Sequence, residues 1–170
     1  MTESELPNWD RIVERHAERV FRVALRIVGS VHDAEDVSQD VFSEAFRLHQ
    51  AGPIQSWAGL LVRLATLRSI DRVRRRRPVQ TLRDGDKVSS VEPFEEILAT
   101  ELADWLRKAI VQLPDQQATV FVMVHFEHLS RGEVSASLGI SSEAVSTALY
   151  KGRQRLLAQM AVYNNNGESR

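Results

Sequence analysis

Asp33, Asp36, Asp40 and Glu44 are carboxylates three and four residues apart, the kind of spacing that can hold a metal or share a proton. At 3.6 residues per turn they form one column on a helix, beside an apolar row of Ala34, Val37, Val41, Ala45 and Leu48. Like charges so spaced repel, so the helix itself gains nothing from them. With His32 they suggest a helical metal hydrolase, which would need further His or carboxylate ligands from a second helix. No second acidic cluster of that kind is present in the sequence. The column suits a docking face for a basic partner better, and a solvated face whose first acids favour the helix dipole better still. His125 and His128 are too small a set to hold a metal by themselves. Without cysteine there is no disulfide, thiol nucleophile or thiolate zinc site. The expectation is a protein with no metal, no cofactor and no catalytic residue.

The complementary charge lies on a later helix. Arg63, Arg68 and Arg72 lead into the run Arg74, Arg75, Arg76 and Arg77, offset only by Asp71. Cations several turns deep suit a phosphate backbone and predict salt-dependent binding. A solvated basic face or a nuclear-import tag fits the same residues.

Positioning these columns takes three helices. The first spans Trp9–Val28, with a stripe of Trp9, Ile12, Val13, Ala17, Val20, Phe21, Ala24 and Leu25, and Gly29 ends it. Ser30 with Asp33 opens the second, over about 33–48. Gly52 and Pro53 mark a loop, and Ser56 caps a third helix to about residue 77. Its inner positions are Trp57, Leu60, Leu61, Leu64, Ile70 and Val73. Pro78 stops it, and residues 79–93 turn to Thr, Asp, Gly, Ser and Lys, the composition of a flexible linker.

A second module follows. Residues 94–113 form an amphipathic helix with Ile97, Leu98, Leu102, Leu106 and Ile110 inward, and Pro114 fits the first turn of another. The apolar stretch 117–127 reads as a buried helix, although its β-propensity would suit a strand. Ser130 with Glu133 is a capping box, Gly139 supplies a positive-φ stop, and Ser141 caps the next helix. In that helix Val145, Leu149, Gly152 and Leu156 make one apolar face. Ser142, Glu143, Ser146, Thr147, Lys151, Arg153 and Arg155 make the other, so the pair follows the helix-turn-helix plan. Ser146, Thr147 and Ala148 form a reading face poor in charge, beside the better phosphate contacts Lys151, Arg153 and Arg155.

These segments together predict an all-α protein of two small helical domains joined by a flexible linker, the C-terminal one a helix-turn-helix. In 170 residues, 43% hydrophobic and 26% charged residues are globular proportions. A net charge of −1 excludes a uniformly basic nucleic-acid coat. The N-terminal residues lack the pattern of a secretory signal, and no apolar run approaches the roughly 20 residues that span a bilayer. The cytoplasm is the expected compartment, with no membrane contact.

Four stretches in order resemble the extracytoplasmic-function group of the sigma-70 family. HDAEDVSQDVFSEAFR is similar to the acidic segment of region 2, and WAGLLVRLATLRSIDRVRRRR to its DNA-facing segments. LPDQQATVFVMVHFEHLSRGEVSASLGIS and SEAVSTALYKGRQRL resemble the two halves of region 4. The resemblance divides the chain into region 2 at 1–77, a linker at 78–93, region 4 at 94–162 and a disordered tail at 163–170. It implies that Asp33, Glu35, Asp36, Gln39 and Asp40 dock on the β′ clamp helices of core RNA polymerase, region 4 meeting the β flap. It also implies that Trp57 and the Arg63–Arg77 cations engage the melted downstream promoter element, while the last helix enters the major groove upstream. Many members of the group are inhibited by an anti-sigma factor, a further candidate partner.

Departures bear on specificity. Ala65, Thr66 and Leu67 stand where the family commonly has Ala-Arg-Asn, and Val145, Ser146, Thr147 and Ala148 where it has Val-Lys-Ser-Arg. Ser135 and Ser137 replace small or apolar residues, predicting slightly weaker packing of the first helix-turn-helix element. The alternative function is a stand-alone helix-turn-helix regulator that binds duplex DNA without polymerase.

Overall fold

The computed structural model describes residues 9–76 and 94–167, so Arg77, the expected linker and the last tail residues lie outside the described residues. The helices are α1 (Trp9–Val28), α2 (Val31–Ala51), α3 (Trp57–Arg75), α4 (Phe94–Val111), α5 (Asp115–His125), α6 (Arg131–Leu138) and α7 (Ser142–Gly167). No strand occurs among the described residues, and the apolar stretch after Pro114 is the buried helix α5.

Local chemistry sets the boundaries. Ser30 and Ser56 accept hydrogen bonds from the backbone amides of Asp33 and Gly59, satisfying N–H groups that the first turns leave free. Gly29 and Gly139 take positive φ after α1 and α6, where a Cβ is disfavoured. The third helix ends at Arg75 with Arg76 as its cap, short of the expected residue 77. The last helix runs through Tyr163 to Gly167, past the expected boundary at 162.

The first unit packs α1 against α2 and α3. Val20, Val23, Ala24 and Ile27 meet the buried faces of Val37, Val41, Leu61, Val62 and Ile70. Each such side chain contributes on the order of 1.5–3 kcal/mol through burial. Leu48, expected in the α2 row, is 40% exposed, because the row has drifted off the core by that turn. Val23 and Ile27 extend the α1 stripe beyond the expected residues. In the second unit Ile110, Leu113, Val120, Met123, Val134, Val145 and Leu149 form the core. Leu102, expected inward, is 52% exposed on α4. The two units are in contact, α3 lying against α5 and α6.

Candidate nucleic-acid interface

The acidic and basic columns meet across the α2–α3 packing. Arg72 donates from Nε to Asp33 Oδ1 at 2.9 Å and from Nη2 to Asp36 Oδ2 at 2.7 Å. Arg68 donates from Nε to Glu44 Oε2 at 2.7 Å, and Arg76 pairs with Asp33. Burial pushes the Arg76 guanidinium below its ordinary range. Repulsion along the carboxylate column is therefore answered by cations of the neighbouring helix. Asp33, Asp36 and Glu44 are interior partners, leaving Glu35, Gln39 and Asp40 exposed as an acidic edge.

The downstream candidates separate in the same way. Arg68, Arg72 and Arg76 pair with carboxylates of α2, Arg76 staying exposed, and Arg63 and Arg75 are exposed as well. Trp57, expected to face unstacked bases, is half-buried in an aromatic cluster, its ring 5.8 Å from Trp9 and 5.3 Å from His49. Its indole thus packs the α1–α3 end, with Phe42 and Phe46 against the other side of Trp9. Arg74 Nη2 donates to Leu113 O and Nε to Val111 O, both at 3.1 Å, and Nη1 reaches Asp115 at 3.2 Å. It caps the end of α4 while its side chain stays 40% exposed. Ala65 and Thr66 are buried, Thr66 Oγ1 donating to Val62 O at 2.8 Å, so two of the three positions that depart from the family triplet face inward.

The helix-turn-helix is built as its sequence suggests. Ser130 and Glu133 form the reciprocal capping box, with Ser130 N donating to Glu133 Oε2 at 2.7 Å. That bond holds the Glu133 carboxyl below its ordinary value of 4.5. Ser135 Oγ donates to Ile140 O at 2.6 Å, tying the turn to α6, so this serine adds a bond where weaker packing was expected. On α7, Ser142, Glu143, Thr147, Lys151 and Arg155 are exposed, and Arg131 donates to Ser146 Oγ at 3.5 Å. Ala148 is buried beside Leu149, so it does not belong to the reading face. Arg153, expected on phosphate, donates to His125 Nε2 with Nη2 at 3.1 Å. Burial first, and the Arg153 charge second, push the His125 imidazole below its ordinary 6.5.

Three contacts between the units escaped the sequence reading. Arg74 reaches α4, Gly59 of α3 lies against Ser137 of α6, and Glu127 pairs with Arg19 and Arg26 of α1. A glycine inside a helix and a lone carboxylate ending an apolar run were their only signals. Ser137 is the residue that faces Gly59 across this contact. Among the described residues no group of three or more His, Asp or Glu could hold a metal ion, and no helix is long and apolar enough to cross a membrane.

A charged three-helix unit followed by a capped helix-turn-helix with an exposed hydroxyl and cationic face defines a DNA-binding protein of modular, all-helical design. The model of sigma-70 region 2 matches residues 12–79, and that of sigma-70 region 4 matches residues 103–156. The chain belongs to the sigma-70 family, within its extracytoplasmic-function group of RNA polymerase sigma factors. It is 33% identical over 171 residues to the sigma factor SigE of Mycolicibacterium smegmatis, covering 96% of this chain and 65% of that one. Against SigW of Bacillus subtilis it is 28% identical over 162 residues, covering 88% and 87%. The chain thus spans just under two thirds of the SigE relative's length, 65%, and most of SigW's. Among solved structures the fold is similar to CnrH in complex with the cytosolic domain of CnrY, with TM-score 0.60, 21% identity and coverage of 91% and 88%. It is also similar to the sigma factor RpoE of Bartonella quintana bound to the anti-sigma factor NepR, with TM-score 0.54, 20% identity and coverage of 90% and 96%.

Proposed function

We propose that this chain binds core RNA polymerase and directs it to a promoter set, with region 2 at 1–77 and region 4 at 94–162 acting as separate units joined by 78–93. The observation that carries the assignment of surfaces is the sorting of charge by the α2–α3 ion-pair network. It engages Asp33 and Asp36 internally and leaves Glu35, Gln39 and Asp40 as an exposed edge for the β′ clamp helices. Arg63 and Arg75 are the cations of α3 best placed for the downstream element, while Arg68, Arg72 and Arg76 hold the helix that presents them. On α7, Ser142, Glu143 and Thr147 face base edges, and Lys151 and Arg155 hold phosphates. Region 4 meets the β flap.

No catalytic residue is needed in this mechanism. Binding the melted downstream strand more tightly than the duplex lowers the barrier to opening, as differential binding does in any catalysis. The place of action is the cytoplasm, where polymerase and promoter DNA meet. An anti-sigma factor is a further partner class, supported by the complex of RpoE with the anti-sigma factor NepR, whose sigma factor shares this fold.

In-vitro transcription with purified core polymerase and a promoter library tests the activity. Asp40→Arg tests the docking edge, because Asp40 is exposed whereas Asp36 is bound to Arg72. The variant should lose co-purification with core while keeping its helix content. Undiminished association would remove α2 from the docking role.

A further inference from the structure

The reading helix is short of groups that can choose a base. From Ser142 to Tyr150, α7 carries no arginine, lysine, asparagine or glutamine, and its first cation is Lys151. Hydroxyls bond to more than one kind of base edge, so Ser142 and Thr147 discriminate weakly, and Glu143 can only accept, as from a cytosine amine. Singling out guanine takes two donors side by side, the fork that a guanidinium supplies.

One guanidinium reaches this stretch, and it comes from the other helix. Arg131 is the first residue of α6, it is exposed, and its Nη1 donates to Ser146 Oγ at 3.5 Å. Among the described residues no carboxylate pairs with it, in contrast to Arg68 and Arg72 of α3. At 3.5 Å the bond is long, so it aims the side chain across α7 without holding it there. The backbone beneath is fixed more firmly. Ser130 and Glu133 flank Arg131 and bond reciprocally, Ser130 N to Glu133 Oε2 at 2.7 Å and Glu133 N to Ser130 Oγ at 3.2 Å. Ser135 Oγ donates to Ile140 O at 2.6 Å, which ties α6 to the turn leading into α7. A side chain mounted on so rigid a base gives up less freedom when it binds.

We infer that Arg131 is a specificity-determining residue of the upstream contact, reading the O6 and N7 edge of a guanine that α7 by itself has no group to recognise. The inference rests on the sigma-factor reading and names one base class that its upstream site selects. In the helix-turn-helix plan the N-terminal part of the second helix lies at the base edges, while the first helix crosses the phosphate backbone. Arg131 belongs to the first helix by sequence, yet its guanidinium lies beside Ser146, in the part of α7 that meets bases. A guanidinium only donates, so Ser146 Oγ is the acceptor in the free chain, and the two guanine acceptors take its place in the complex. The phosphate contacts stay with Lys151 and Arg155, further along α7.

Transcription from a promoter library by the full chain with core polymerase reads the preference directly. The parent should favour guanine at one position of the upstream element. Arg131→Ala should lose that preference, by roughly tenfold or more, and keep its preferences in the downstream element. Arg131→Lys retains the charge without the fork, so it should lose the preference as well. Both should keep the parent's helix content by circular dichroism, since Arg131 lies outside the core. If Arg131→Ala loses helix content, Arg131→Lys decides. Putting 7-deazaguanine at the preferred position removes N7 alone, and it should weaken the parent complex severalfold while leaving the Arg131→Ala complex indifferent.

An Arg131→Ala chain that keeps every upstream preference overturns the inference. So does one that binds all sequences less tightly alike, with a salt slope lower by about one phosphate, because Arg131 would then hold the backbone. A parent that transcribes with core but shows no guanine preference upstream overturns the inference and leaves the sigma-factor reading standing. A parent that transcribes from no promoter with core refutes both.

Discussion

Arg72 reaches from α3 to Asp33 and Asp36 with one guanidinium, so a substitution there acts on three residues at once. Arg72→Ala leaves two carboxylates a turn apart without their shared cation. The pairs are about a third exposed, 34% for Arg72, so solvent screening limits the loss to about 1 kcal/mol. A melting temperature several degrees lower with unchanged helix content is expected, the deficit shrinking at high salt. His125 gives a second prediction. Its imidazole is held below 6.5 by burial and then by Arg153, so the folded chain binds fewer protons than the unfolded one as pH falls. Stability is therefore constant above the unfolded value and declines as pH drops through it. Thermal melts at pH 7.5 and pH 5.5 should show a smaller acid loss for His125→Gln than for the parent, and equal losses would dispose of the effect.

At the scale of elements, helices were legible where a cap and a period coincided. Ser56, Ser130 and Gly139 announce their boundaries through local chemistry that tertiary packing does not alter. Leu48 and Leu102 were misplaced for the opposite reason. Periodicity names a face without saying which neighbour covers it, and here an aromatic cluster takes Trp57 while Leu48 and Leu102 go uncovered. The ion pairs between α2 and α3 were unreadable because each column, viewed alone, looks like a surface awaiting a partner. Gly139 offers a test confined to the backbone. It sits at φ 64 with nothing within 4 Å of an added Cβ, so Gly139→Ala pays only for the left-handed conformation, roughly 1–2 kcal/mol. Gly139→Asn, better tolerated there, should recover part of the loss in a denaturant titration.

For the whole molecule, the question is how a chain of net charge −1 binds DNA at all. Several of its arginines, among them Arg68, Arg72 and Arg74, are engaged by its own carboxylates and carbonyls, while Lys151 and Arg155 on α7 are exposed and available to phosphates. The logarithm of affinity should accordingly fall with the logarithm of salt on a shallow slope, about 0.9 per phosphate contacted. Lys151→Ala and Arg155→Ala should each reduce that slope by about one contact and weaken all sequences alike. Thr147→Ala, exposed on the same helix but uncharged, should leave the slope in place and change which upstream sequences are preferred. These comparisons belong in the proposed complex with core polymerase. There, a Lys151→Ala complex with an unchanged salt slope would mean that α7 does not track the backbone, and that recognition rests on the first unit.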